Sequence, residues 1–172
     1  MTSTGLEEAM ITSRVAVVGA VSLLGLCATA QADPLPKSGS ISWHTGWKFT
    51  GGPSLNPAEK HSMGSGGVSG VSFNDKGAGP LHGGPANCID AYYVIDGRGK
   101  DKGFCAFGDV DGDRILTEFT GDVGPEGGNG TNVIVGGTGK YAGIQGSGPW
   151  KCKWAGATGE LMCNQRLDYR LP

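Results

Sequence analysis

From residue 40 onward the chain alternates apolar and polar residues with a period of two, in short runs separated by glycine-rich breaks. That period marks strands with one buried face, since successive side chains of a strand point to opposite sides. The run SISWHTGWKFT (40–50) sets Ile41, Trp43, Trp47 and Phe49 on one face and Ser42, His44 and Lys48 on the other. The same reading predicts further strands over 68–73, 88–95, 103–109, 114–120, 131–135, 150–154 and 161–169, eight in all. Residues 54–67 and 74–87 are rich in Gly, Pro and polar residues and read as loops, the first with a brief turn at 57–60. Asp96-Gly97-Arg98-Gly99 ends the third strand, and 110–113 joins the fourth to the fifth. Short, evenly spaced strands without long helices define an all-β domain, either an eight-stranded antiparallel barrel or a β-sandwich.

The densest stretch is IVGGTGKYAGIQGSGPW (134–150). An apolar run stops at Gly136-Gly137, and Thr138 is placed to cap a single helical turn through Gly139, Lys140 and Tyr141. Gly146, Gly148 and Pro149 break the chain again before the strand at 150–154. The expected structure is strand, tight corner, strand, with Tyr141 and Ile144 tucked inward as a plug. Two nucleotide-binding patterns fail here. Gly139-Lys140 lacks the first P-loop glycine, replaced by Ile134, and Tyr141 stands where Ser or Thr is needed. Gly137, Gly139 and Ala142 fit G-x-G-x-x-A, but no helix follows and no βαβ pattern surrounds them.

GGTGKYAGIQGSG (136–148) resembles the corner of the allene-oxide-cyclase-like barrels, the group that includes dirigent proteins, and above all small secreted bacterial proteins of unknown function that share it. A weaker likeness runs over 74–120, around Cys88, Cys105 and DVDGD. The resemblance implies an eight-stranded antiparallel barrel, often a trimer in the plant members, and tips the choice from sandwich to barrel. It carries no activity, because no motif here matches the catalytic residues of the cyclases or the pocket acids of dirigent proteins.

The leader sets the compartment. The apolar run VAVVGAVSLLGL (15–26) follows Arg14 and precedes two small-x-small sites, Ala28-Thr29-Ala30 and Ala30-Gln31-Ala32. It is shorter than the roughly 20 apolar residues of a spanning helix. Residues 1–32 therefore read as a signal peptide cut after Ala32. Glu7 and Glu8 do not suit such a segment, and Met10 makes the better start, with 1–9 as an extension. The mature part, 33–172, has 140 residues, one domain's worth. Without Arg14, Glu7 and Glu8 it holds 13 basic and 14 acidic residues, a balance that favours neither nucleic acid nor an anionic membrane. The 33 glycines follow no collagen period and signal many turns. The expected location is the periplasm or the exterior, without stable membrane insertion.

Cys88, Cys105, Cys152 and Cys163 remain after processing, and an even count in an exported chain argues for two disulfides. Three connectivities are open. Register favours one, because Cys152 and Cys163 flank the loop 155–160 at equal distance and would face each other in a hairpin. That leaves Cys88 with Cys105. The cysteines lack the close pairing of a zinc site.

Candidate chemistry is sparse. Asp109, Asp111 and Asp113 of DVDGDR alternate and could converge on calcium, though Arg114 and Thr120 break the EF-hand pattern. The competing reading is a plain Asp-Gly hairpin turn. No other cofactor is indicated. Trp43, His44, Asp90, Tyr92, Glu118 and Arg166 are the ligand-pocket candidates, as residues within strands that a barrel could turn toward its lumen. Trp47, Trp150 and Trp154 suit an aromatic pocket or a packed core equally. No catalytic residue is assigned, because no nucleophile can be paired with His44, His61 or His82. Three functions follow. The first is a module binding a small apolar or aromatic ligand. The second, less supported, is a cyclase or isomerase using the cavity. The third is an envelope protein with a filled lumen. Clustering of Asp90, Glu118, Arg166 or His44 inside an open cavity would favour the enzyme, a cavity lined only by Trp, Phe and Val the binding module, and a lumen with no cavity the envelope protein.

Overall fold

The computed structural model describes residues 35–172. The leader and its cleavage site lie outside the described residues. The rest is a closed eight-stranded barrel in which each strand pairs antiparallel with its neighbour in sequence and the last pairs with the first. The strands are β1 (Ser38–Ala58), β2 (His61–Asn74), β3 (Gly84–Ile95), β4 (Arg98–Gly108), β5 (Arg114–Gly124), β6 (Gly127–Gly137), β7 (Gln145–Trp154) and β8 (Glu160–Arg170). One short 3-10 turn, Gly139–Tyr141, interrupts the path from β6 to β7.

Alternation decides what enters the lumen. On β1, Ile41, Trp43, Thr45 and Trp47 are buried, while Ser42, His44 and Lys48 face outward. Several stretches expected as loops or breaks are extended instead, among them 84–87 in β3 and 145–149 in β7. Residues 54–58 and 61–67 pair across a turn at Glu59 and Lys60, and 98–102 belongs to β4. Inward glycines spare room for rings: a Cβ on Gly66 would press on Phe49, and one on Gly121 of β5 would overlap Trp150. Both disulfides expected from register are present, Cys88–Cys105 and Cys152–Cys163. Each joins directly opposed residues of neighbouring strands, β3 with β4 and β7 with β8, half-way round the ring from each other. Such bonds belong to an oxidising, extracytoplasmic setting.

The two ends differ. At one end Trp43, Leu81, Phe107, Ile115, Tyr141 and Leu167 fill the lumen completely, with the Trp43 and Phe107 rings edge to face at 5.1 Å. Tyr141 and Ile144 are buried there as the plug anticipated for this corner. Thr138 does not cap the turn with its side chain; its Oγ1 accepts the Arg114 N–H at 2.9 Å and so ties the corner to β5. Gly139 is required by backbone conformation (φ 53°) and by space, since a Cβ would overlap the Asp113 carboxylate.

Asp109 organises this end. Only 4% exposed, it accepts the Leu81 N–H on Oδ1 and the Tyr141 hydroxyl on Oδ2, and it pairs with Lys140 Nζ at 2.8 Å. Burial and the Asp109 carboxylate both push the Tyr141 hydroxyl upward, so it stays a donor. Tyr141→Phe leaves a buried carboxylate oxygen short of a donor and is expected to cost about 1–3 kcal/mol in urea unfolding. A loss below about 0.5 kcal/mol would show that water or Lys140 replaces the hydroxyl.

Candidate functional site

Above the packed end lies a polar belt. Ser72, Thr45, Gln165, Asn132 and Thr117 form a continuous hydrogen-bonded chain across the lumen, with steps of 3.3, 3.0, 3.3 and 3.2 Å. All five are buried, and each finds a partner, so the belt carries no unpaired group. Asn132 and Gln165 form part of the floor of a cavity of about 540 Å³ that opens at the far end of the barrel. Trp47, Phe49, Tyr92, Phe119, Trp150 and Trp154 supply its aromatic wall, and both disulfides face into it. Phe119 and Trp150 meet edge to face at 5.9 Å, and Phe49 and Trp154 at 6.4 Å.

The wall is apolar except for two carboxylates, Asp90 on β3 and Asp101 on β4. Asp90 is opposite Gly103 and Asp101 opposite Tyr92, so the acids are diagonal neighbours on the inner face. Oδ1 of each is buried without a hydrogen-bond partner, and among the described residues neither acid belongs to an ion pair. Burial raises Asp90, against the backbone N–H groups of Gly66 and Asp90 itself. Burial and the Asp90 charge together push Asp101 up to about 7, against the Lys102 N–H. The pair thus holds a proton that two solvated carboxylates would release.

Of the six pocket candidates, Asp90 and Tyr92 face the cavity. Trp43 does not; it lies below the belt, fully buried against Phe107. His44, Glu118 and Arg166 point outward, because each is adjacent in sequence to an inward residue: Thr45, Thr117 and Gln165. His44 Nδ1 lies 2.9 Å from Asp75 Oδ1 and its ring stacks on Phe73; Arg166 pairs with Asp168 at 2.8 Å. Of the four tryptophans, Trp47, Trp150 and Trp154 line the cavity. Asp101 escaped sequence reading because it sits in the charged run RGKDKG, which resembles a turn. Counting back by twos from Cys105 would have placed it inward.

Asp109, Asp111 and Asp113, the calcium candidates, are engaged within the chain. Lys140 Nζ stands between Asp109 and Asp111, at 2.8 and 2.6 Å, and Asp113 accepts the Lys140 N–H at 3.0 Å. The side chain of Lys140 supplies the positive charge that a cation would bring.

Fold and site together define a floored, antiparallel eight-stranded barrel with an apolar cavity open at one end and an unpaired acid pair on its wall. No family model matches the chain, and no curated protein is significantly similar to it in sequence.

The Asp101 shift has a stability consequence. In the unfolded chain the carboxyl ionises near 3.8, and in the folded protein near 7. Between those values the folded state holds the extra proton, so stability falls as pH rises through the window; below it the penalty is absent, and above it is full. Asp101→Asn is expected to gain about 1–2 kcal/mol over the wild type at pH 8.5, a figure reduced for solvent at the open mouth, and little at pH 4. Urea unfolding at the two pH values checks this, and equal gains at both would mean that Asp101 is fully solvated when folded.

Proposed function

We propose that this protein is an exported binding module that holds one small apolar or aromatic molecule in its barrel. The observation that carries the reading is the cavity itself: about 540 Å³, walled by aromatic rings, closed below by a satisfied polar belt. A barrel of eight strands has room for one small ligand, and a pocket of this size suits a drug-sized molecule. A filled lumen, the basis of the envelope-protein reading, is not what these side chains form. Export rests on the leader, cut after Ala32, and on the two disulfides, which suit the periplasm or the exterior. The outer face carries Lys100, Lys102, Glu118, Asp122, Arg166 and Asp168, which argues against a barrel seated in lipid.

A cyclase- or isomerase-type enzyme is the second reading. The acid pair favours it, since a carboxyl that keeps its proton near neutral pH inside an apolar cavity can act as a general acid.

The test of binding is native mass spectrometry of the mature protein from its own exported fraction, followed by titration with the neutral fluorophore N-phenyl-1-naphthylamine. A retained small molecule, or saturable fluorophore binding abolished in Val123→Trp at the cavity mouth, is the expected result. A bare protein that binds no fluorophore would remove the reading.

The resemblance to barrels that form trimers makes self-association the partner proposal. It is supported by an apolar strip on the outside of β3–β6, where Ile89 (67% exposed) and Phe104 are directly paired and Leu116 and Val135 continue the surface. Light scattering at micromolar concentration should give a multiple of the monomer mass, reduced toward one copy in Ile89→Lys. A monomeric wild type would end that proposal.

A further inference from the structure

We infer that Asp90 and Asp101 are the anchor for a cationic ligand, an amine whose ammonium sits between the two carboxylates while its aromatic or apolar body fills the cavity. The inference rests on the binding reading and names the chemical class of its ligand.

Register supplies the geometry. One row of inward positions runs Gly66, Asp90, Gly103, Phe119 across β2 to β5. The next row runs Gly64, Tyr92, Asp101, Gly121, Gly130, Trp150 across β2 to β7. The glycines leave notches that rings cover. Phe119 lies over Gly103, facing the backbone of Asp90; Phe49 lies over Gly66, where Asp90 Oδ1 also reaches; Trp150 lies over Gly121, the neighbour of Asp101. The two acids are therefore bracketed by the faces and edges of Phe49, Phe119, Tyr92 and Trp150. Carboxylates flanked by aromatic rings form the recognition chemistry of an ammonium group, which draws on Coulomb attraction and on the ring quadrupoles.

What is missing in the protein is the cation. Lys100 and Lys102, the nearest in sequence, stand on the outward face of β4, and Lys100 pairs with Asp122 at 2.6 Å. Asp109, the most deeply buried carboxylate among the described residues, has its cation in Lys140. Trp150 forms part of the same wall. A purely hydrocarbon ligand leaves the carboxylates unpaired, at a cost in affinity.

The anchor makes binding depend on pH. Asp90, Asp101 and the Tyr92 hydroxyl are the titratable groups lining the cavity; β1, β2 and β5–β8 contribute none to its wall. An amine that stays protonated to high pH binds the ionised pair, so affinity rises with pH through the range where Asp101 gives up its proton.

The experiment is calorimetric titration of the mature protein at pH 8 and pH 5 with three indoles of one shape: tryptamine (cation), tryptophol (neutral) and indole-3-acetate (anion), with N-phenyl-1-naphthylamine as an apolar control. The expected order is tryptamine, then tryptophol, then indole-3-acetate. Tryptamine should lead tryptophol by at least tenfold at pH 8, and the lead should shrink at pH 5. Asp90→Asn with Asp101→Asn, isosteric changes that remove charge from the lumen, should abolish that lead while fluorophore binding persists. Equal affinities for tryptamine and tryptophol, or a lead that survives the double substitution, would overturn the anchor and leave the binding reading intact. No binding of any indole or of the fluorophore would overturn both.

Discussion

The contact on which the rest of the barrel depends is the set of bonds around Asp109. A closed barrel has two open ends, and each must be sealed by something or left to water. Here two separate segments converge on one carboxylate: the loop before β3 through the Leu81 N–H, and the corner before β7 through the Tyr141 hydroxyl and the Lys140 ammonium. A carboxylate buried this deeply is tolerable only when its oxygens are all engaged and its charge is balanced. Burial holds the Lys140 ammonium down, but Asp109 and Asp111 outweigh it and raise its proton affinity, so Lys140 keeps its charge. That seal lets Trp43, Phe107 and Leu167 pack without water, and it supports the polar belt above them.

The opposite end is left open for a complementary reason. Along β2, β4, β5 and β6 many inward positions toward the mouth are glycine, namely Gly64, Gly66, Gly103, Gly121, Gly128 and Gly130. Without side chains on that part of the wall, the rings of Phe49, Phe119 and Trp150 lie against it and still leave the lumen unfilled. The same chain thus builds a solid half from large inward residues and a hollow half from glycines and rings. The two disulfides brace opposite walls of the hollow half, where packing alone gives least support. Cross-links count for most where few side chains hold neighbouring strands in place.

Much of this was legible in the residues. The period of two along Ile41, Trp43, Trp47 and Phe49, the equal flanks of Cys152 and Cys163, and the Thr138–Tyr141 corner each pointed to what the structure contains. The glycines misled, because turns and ring-covered strand positions both call for a missing side chain, and composition does not separate them. That ambiguity made loops of 61–67 and 98–102 and hid Asp101. The outward placement of His44, Glu118 and Arg166 was available by parity from Trp43, Phe119 and Cys163, each inward by burial or by a disulfide. What parity could not supply is depth along the barrel axis. Trp43 and Trp47 share a face, yet one is floor and the other wall, and only strand register against Gln165 and Leu161 distinguishes them.

The acid pair is the point at which the folding logic of the barrel is broken. Asp109 shows that this fold can bury a carboxylate with every oxygen engaged, and the belt shows that it can do the same for neutral polar groups. Asp90 and Asp101 receive no such treatment, though a Leu or Val at either position would suit an apolar wall and would remove the desolvation that raises both acids and the Asp90 charge that raises Asp101 further. Their position rules out a surface role, since both face the cavity rather than bulk solvent. A local conflict of this kind, in a chain that pairs its other deeply buried carboxylate, is where sequence and stability are expected to diverge for the sake of function. The unpaired charge is therefore most economically read as half of an interaction whose other half arrives from outside the chain.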